Sequence, residues 1–294
     1  MKPAPFDYVA ARSLDEALAL LADFGGDAKL LAGGQSLIPV LNFRLAQPAK
    51  LIDLNRVPDL DFVRAQPDGS LRLGALVRHR RLERDPVIAR HAPLVHETAP
   101  HIAHPQIRNR GTLGGSLAHA DPAAELPAVA LALEARFLLK SRAGERWLEA
   151  SEFFTGLFAT ALEPDEMLVE VDLPALPPRT GTAFLEAARR HGDYAMAGVA
   201  ATVTLDASGR CRSARLVYLS VGEGPVLGSR AMQSLDGELP DGQRIGEAAR
   251  LAGEQDVSPL GDIHASSEFK RHLVRVLTAR ALKSAVARAE EARG

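Results

Sequence analysis

"LLAGGQSLIPVLNFRLAQPAKLIDL", residues 30–54, is the stretch on which the fold turns. The apolar "AKLLAG" (28–33) reads as a short buried strand that runs into a glycine turn. "SLIPVLNFRLA" (36–46) predicts a helix, with Pro39 tolerable because it falls in the first turn. "KLIDL" (50–54) predicts a second strand, so the run opens a mixed α/β unit. Upstream, Ser13 and Glu16 have the spacing of a capping box, and Leu14, Ala17, Leu18 and Leu21 share one helical face. Gly25-Gly26 ends that helix.

The turn itself, Ala32, Gly33, Gly34, Gln35 and Ser36, has the composition of an anion cradle. Glycines let the main chain approach a ligand, and a helix N-terminus supplies unpaired N–H groups with a partial positive charge. A diphosphate is the natural occupant; a plain strand-to-helix turn capped by Ser36 is the alternative. About eighty residues later "GTLGGSLAHADPAAELP" (111–127) repeats the idea through Gly111, Thr112, Leu113, Gly114, Gly115 and Ser116. Two such loops can close on one dinucleotide from opposite sides. Asp121 and Pro122 then open a helix expected over about 122–134, bent or restarted at Pro127. Asp121 and Glu125 either cap N–H groups there or accept hydrogen bonds from a heterocycle or its sugar-alcohol chain. Capping is the preferred reading for Asp121, and both stand for Glu125.

The chain has 294 residues, which suits two or three compact units. Its 46% hydrophobic and 24% charged content is that of a soluble globular protein, and a formal charge of −2 offers nucleic acid no general attraction. Cys211 is the single cysteine, so intrachain disulfides and an iron–sulfur cluster held wholly by this chain's cysteines are excluded. "MKPAPFDYVAARS" has no apolar h-region and no run approaches the roughly 18 residues of a membrane span, so a cytoplasmic location is expected.

Further strands are predicted at 70–78, 135–141, 143–149 (a hairpin through Ala143-Gly144) and 167–174, with a helix at about 92–103. "PALPPRTG" (174–181) is the linker candidate. After it, residues 198–222 alternate and turn at Ser208-Gly209, followed by helices at about 244–255 and 267–292. Lys270, Arg271, Arg275, Arg280, Lys283, Arg288 and Arg293 on the last helix read as a solvated basic face. His91, His96, His101, His104 and His119 lack metal-ligand spacing and read as solvated or core histidines. Neither a G-x-S-x-G elbow nor a G-x-x-x-x-G-K-[ST] loop is present, which removes the main support for acyl transfer and nucleotide hydrolysis. Tyr194, just before a small-residue strand, is either a packed edge aromatic or a plane for a flat ring.

Taken together, "LLAGGQSLIPVLNFRLAQPAKLIDL" (30–54), "PQIRNRGTLGGSLAHADPAAELPA" (105–128), "PDEMLVEVDLP" (164–174), "RRHGDYAMAGVAA" (189–201) and "SSEFKRHLVRVLTARAL" (266–282) resemble one family over nearly the whole chain. It is the FAD-binding medium subunit of the xanthine dehydrogenase and carbon monoxide dehydrogenase family of molybdenum hydroxylases. The resemblance implies an α+β protein: a two-subdomain FAD-binding fold of the vanillyl-alcohol oxidase type, then a C-terminal α+β domain with an antiparallel sheet. The implied boundaries are 1–57, 58–177 and 178–294. Carried over by position, Ala32 to Ser36 wrap the FAD diphosphate, and Gly111 to Ser116 face the diphosphate and ribityl region. Glu125 is an acidic FAD contact with Asp121 nearby, Leu168 approaches the isoalloxazine, and Tyr194 covers it. Some relatives place a lysine before the double arginine; "FLEAARR" has Leu185 and Glu186 there, so no cationic flavin contact is assigned.

The implied function is that of an oxidoreductase subunit. It would take electrons from [2Fe–2S] clusters in a small partner subunit, downstream of a large molybdenum-cofactor subunit, and pass them to NAD, a quinone or another carrier. A dimer of heterotrimers is the implied assembly. The rival readings are a flavin-free assembly or scaffold subunit and a free-standing flavin oxidoreductase.

Overall fold

A computed structural model describes residues 1–292, and Arg293 lies outside the described residues. The first unit is a parallel three-stranded sheet of β1 (Asp7–Ala10), β2 (Ala28–Leu31) and β3 (Lys50–Asp53), in the order β1-β3-β2. The sequence reading missed β1, whose "DYVA" is only half-buried and so shows no apolar alternation. Helix α1 (Leu14–Phe24) begins as expected: the Ser13 hydroxyl accepts the Glu16 N–H at 3.1 Å. The Glu16 carboxylate reaches back to the Arg12 N–H at 2.7 Å, one residue earlier than a standard capping box. Gly25 ends the helix at φ +50°. Helix α2 (Leu37–Asn42) is shorter than the expected 36–46. Beyond it Arg44 turns to φ +58°, and Phe43 and Leu45 stand exposed, with nothing to bury a further turn against.

The second unit holds β4 (Val63–Ala65), β5 (Leu71–Gly74), β6 (Arg136–Ser141), β7 (Gly144–Glu149), a small hairpin of β8 (Phe154–Gly156) and β9 (Ala159–Thr160), and β10 (Met167–Leu173). Its five-stranded sheet runs β4-β5-β10-β6-β7 and is antiparallel throughout, so the mixed α/β pattern opened by residues 28–54 does not extend past the first unit. The helix expected at 92–103 is Pro93–Thr98 followed by a tight turn at Ala99–His101. Two helices carry the second glycine motif and its acids, α3 (Leu113–His119) and α4 (Glu125–Ala132). Residues 111–116 are therefore mostly a helix start, not an open loop. Helix α4 also begins later than expected, because the Asp121 carboxylate accepts the Ala123 N–H at 2.9 Å and holds Pro122 in a turn. Pro127 is the third residue of α4, where no intrahelical N–H bond is lost, so it neither bends nor restarts the helix.

The third unit is an antiparallel sheet of β11 (Thr180–Ala187), β12 (Ala197–Leu205), β13 (Cys211–Leu219) and β14 (Val226–Leu227) in sequential order. Its central hairpin turns at Ser208-Gly209, with Gly209 at φ +86°. The long helix α6 (Ser267–Glu291) backs the sheet against β11 and β12, and α5 (Gly242–Leu251) packs on α6. The basic residues of α6 are not one solvated face. Lys270 is buried, paired with Asp262 at 2.8 Å and donating to the Ser220 carbonyl at 3.1 Å. Arg271 donates to the carbonyls of Gly253 and Val257 at 3.1 and 2.7 Å, and Arg288 pairs with Glu97 at 2.6 Å. These side chains staple α6 to its surroundings, which explains their charge without a partner.

The units share their cores. Ala17, Leu18 and Leu21 of α1 pack with Leu138, Met167 and Val169 of the five-stranded sheet. A second apolar cluster carries Leu113, Leu117 and Leu168 together with Phe184, Ala200 and Val217 of the third unit. Loops between the units are thus held by continuous packing.

Candidate FAD site

The turn after β2 leaves its amides unused. Among the described residues, no acceptor meets the backbone N–H of Ala32, Gly33, Gly34, Gln35, Ser36 or Leu37. Ser36 precedes α2 but its hydroxyl makes no cap bond, so the plain capped turn is not what forms. The loop is instead braced from behind: Asn55 Nδ2 donates to the Ala32 carbonyl at 2.9 Å and Gln35 Nε2 to the Gly33 carbonyl at 3.0 Å. A run of free N–H groups at a helix start is a ready anion site, and here it lines an open pocket of about 400 Å³. Arg110, Asp53 and Asn55 complete the pocket wall. The Asp53 carboxylate is held low: burial opposes ionisation, but hydrogen bonds from Tyr8 (2.6 Å) and Asn55 outweigh it.

The second motif works differently. Its N–H groups are already spent: Gly111 on the Ile107 carbonyl (2.7 Å), Leu113 on Val77 (2.9 Å), Gly114 on Ala75 (2.8 Å) and Ser116 on Thr112 (3.0 Å). The Gly115 N–H goes to the Thr112 hydroxyl at 3.2 Å, the N-cap bond of α3. Of residues 111–116, Thr112 is the one whose N–H stays free. The glycines here serve close packing. A Cβ on Gly114 would come within 2.5 Å of the Ala75 Cβ, and one on Gly111 within 2.7 Å of His79 Nδ1. Gly33 is the hinge between the motifs: a Cβ there would lie 2.8 Å from the Gly111 Cα and closer still to the Arg110 carbonyl. The two glycine motifs therefore touch along a backbone seam. Of the glycines in the two motifs, Gly34, at φ +73°, is the one required by backbone conformation.

Several residues that make this seam were not legible in the sequence. Arg78 bridges Asn55 (2.5 Å) and the Arg110 carbonyl, locking pocket wall to seam. His79 is buried beneath it, contacts the Thr112 carbonyl at 2.9 Å, and burial pushes its pKa down to about 4, so it is a neutral packing histidine. "RHRRLERD" carries no local signal for either role.

Asp121, Glu125 and Tyr194 form a second group. Tyr194 is exposed, and partial desolvation together with the charges of Asp121 and Glu125 raises its pKa. Ser220, at φ +65°, ties their loops: its N–H donates to the Pro122 carbonyl (2.8 Å) and its hydroxyl to Ala195 (2.5 Å). Leu168, in contrast, turns its side chain into the core at 5% exposure, beside a bulge in β10. His119 rests against Phe158 with ring centroids 5.2 Å apart, and no group of three His, Cys, Asp or Glu side chains among the described residues could hold a metal ion.

Glu125 is the most perturbed acid. Burial, then the charge of Glu186, pushes it from 4.5 up to about 8. Between those values the folded chain carries a proton that the unfolded chain lacks, so this group makes stability fall as pH rises from about 5 to about 8. His101, raised by its bond to Glu186, slopes the same way, while His79 slopes oppositely below its ordinary value. Urea unfolding at pH 6 and pH 8 isolates the acid: Glu125→Gln should lose less stability than wild type over this interval, by on the order of 1 kcal/mol or more. Equal losses in the two proteins would refute a neutral, buried Glu125.

Comparison with known proteins accords with this geometry. Residues 4–176 match the family model described as the FAD binding domain in molybdopterin dehydrogenase, and residues 182–285 match the CO dehydrogenase flavoprotein C-terminal domain. The chain is 46% identical over 289 residues to the 6-hydroxypseudooxynicotine dehydrogenase complex subunit alpha of Paenarthrobacter nicotinovorans, covering 98% of this chain and 97% of that one. It is 37% identical to the carbon monoxide dehydrogenase medium chain of Hydrogenophaga pseudoflava, covering 98% and 99%. A chain of the solved carbon monoxide dehydrogenase from that organism superimposes with a TM-score of 0.94, at 37% identity and with 98% and 99% coverage. A chain of quinoline 2-oxidoreductase from Pseudomonas putida 86 gives 0.93 at 40% identity, covering 98% and 99%. With both of its domains matched and its fold shared end to end, the chain belongs to the FAD-binding medium subunits of the carbon monoxide and xanthine dehydrogenase family of molybdenum hydroxylases.

Proposed function

We propose that this subunit carries electrons between the [2Fe–2S] clusters of a small partner subunit and an external acceptor such as NAD, a quinone or another carrier. A large partner subunit with the molybdenum cofactor would oxidise the organic substrate, in a cytoplasmic dimer of heterotrimers. Bound FAD supplies the chemistry, because it can accept electrons singly and release them as a pair. The units 1–57, 58–177 and 178–294 would act as two FAD-binding subdomains and a C-terminal domain.

The observation that carries this reading is the row of unpaired amides from Ala32 to Leu37. Those amides, with Arg110 in the same pocket, would hold the diphosphate. Gly111 to Ser116 would support the cradle through the seam and offer the Thr112 N–H and the Ser116 hydroxyl. Asp121 and Glu125 would meet the ribityl chain or the ring, and Tyr194 would lie over the ring face. Leu168 would contribute through its backbone, since its side chain is committed to the core.

The test is the colour of the protein as isolated, alone or with its partners. We expect a flavin absorbance band and one FAD released per chain on denaturation. A colourless protein that cannot be reconstituted with FAD would support the scaffold reading instead.

A further inference from the structure

The amide cradle has an acid for a neighbour, and diphosphate binding does not explain it. Strands β2 and β3 are parallel, with Leu31 beside Asp53 in register. The strand that enters the cradle and the strand that carries Asp53 therefore end at the same edge, and the carboxyl ends of parallel strands are where an α/β unit places its ligand. Asp53 lines the pocket together with Gly33, Gly34 and Arg110. A carboxylate beside a diphosphate is repelled by it, unless the same ligand also brings a hydrogen-bond donor to that carboxylate.

The partners of Asp53 leave room for one such donor. An ionised carboxylate has about four lone-pair positions and no proton to give. Oδ1 accepts the Asn55 N–H at 2.8 Å and Asn55 Nδ2 at 2.5 Å, and Oδ2 accepts the Tyr8 hydroxyl at 2.6 Å. Three positions are thus filled, none of them by a cation, and the fourth is on Oδ2. The group is also fixed in place. Asn55 Nδ2, which holds Oδ1, donates to the Ala32 carbonyl of the cradle at 2.9 Å, and Arg78 donates to the Asn55 amide oxygen at 2.5 Å. One side-chain amide therefore touches both the acid and the cradle. Asp121, Glu125 and Tyr194, the side chains assigned to the flavin end, do not line this pocket.

Resting on the FAD reading, we propose that the adenosine half of FAD lies at this end of the pocket and that Asp53 Oδ2 accepts a hydrogen bond from one of its ribose hydroxyls. Those hydroxyls are the donors nearest the diphosphate in that half of the molecule; the adenine amine lies beyond the sugar. Tyr8 and Asn55 touch no ligand in this scheme and act by orienting the carboxylate. A ribose bearing a phosphate at that hydroxyl would set anion against anion, so the site selects an unphosphorylated sugar.

The test is a titration of the full-length protein, freed of its flavin, with FAD and with an analogue whose adenosine ribose lacks both the 2′- and 3′-hydroxyls. Flavin absorbance and fluorescence report binding without reference to activity. We expect wild type to bind the analogue at least about tenfold more weakly than FAD. Asp53→Ala should bind the two alike, and Asp53→Asn, which keeps the shape but loses the charge, should retain only part of the preference. The wild-type comparison needs no substitution, so it stands even where a variant fails to fold. Equal binding of FAD and the analogue by wild type would overturn the proposal. A full wild-type preference in either variant would also overturn it, by making Asp53 a brace for the cradle and not a ligand contact. A wild-type protein that binds neither flavin would instead overturn the FAD reading itself.

Discussion

Gly33→Val should weaken FAD binding at least about tenfold, a loss of roughly 1.4 kcal/mol or more. The added Cβ meets main chain, not a flexible side-chain end: the Arg110 carbonyl and, at 2.8 Å, the Gly111 Cα. Backbone on both sides must part, which moves the Ala32–Leu37 amides away from Arg110 and opens the seam between the motifs. Gly26→Ala is the matched control, because a Cβ at Gly26 meets nothing within 4 Å. FAD released from the purified proteins, with thermal unfolding to check that each folds, separates the outcomes. Full occupancy in Gly33→Val would mean that the seam does not position the cofactor.

A second large effect is expected far from the cofactor. A Cβ on Gly181 would sit 2.5 Å from the Ala289 N and closer to the Ala285 carbonyl, so β11 and α6 are in backbone contact there. Ala281, Ala285 and Ala289 are all fully buried along this line, which is how the helix comes so near the sheet. Gly181→Val must lift α6 off β11, at a cost of about 3 kcal/mol by overpacking. For a chain of this size that corresponds to a fall in Tm of about 5 °C. Flavin content in the protein that remains folded should be unchanged. A Tm within a degree of wild type would show that the helix has room to yield.

These two glycines mark what the sequence could and could not say. Gly33 was legible as part of a cradle, since strand, glycine pair and helix follow one another locally. Its actual constraint, the backbone of Gly111, lies about eighty residues away and has no local signature. Gly181 read only as part of a linker, because its partner is the last helix. The amide accounting was hidden for the same reason. Two Gly-Gly-containing motifs look alike in sequence, yet one leaves its N–H groups free while the other spends them on Ile107, Val77 and Ala75.

Periodic segments with a buried face were readable: α1, β6, β10, the β12–β13 hairpin and α6 lie close to where their patterns put them. Short or half-exposed elements such as β1 and the helix Ser229–Leu235 carried too little pattern to find. Charge was the least legible property. Lys270 and Arg288 look like solvent-facing helix residues until Asp262, Ser220 and Glu97 are placed beside them. Likewise His101 and Glu186, 85 residues apart, meet only once β11 packs on the second unit. Tertiary contact decided each of these.

The central claim is that the free amides of Ala32 to Leu37 hold the diphosphate of FAD. Amide resonances of the ¹⁵N-labelled chain, followed during titration of the FAD-depleted protein with FAD, test it most directly. The account predicts that the resonances of Gly33, Gly34, Gln35 and Ser36 move together and saturate at one FAD per chain, while those of Gly114 and Gly115 move less because their N–H groups are already bonded. FAD binding that leaves the residues 32–37 unmoved would contradict it.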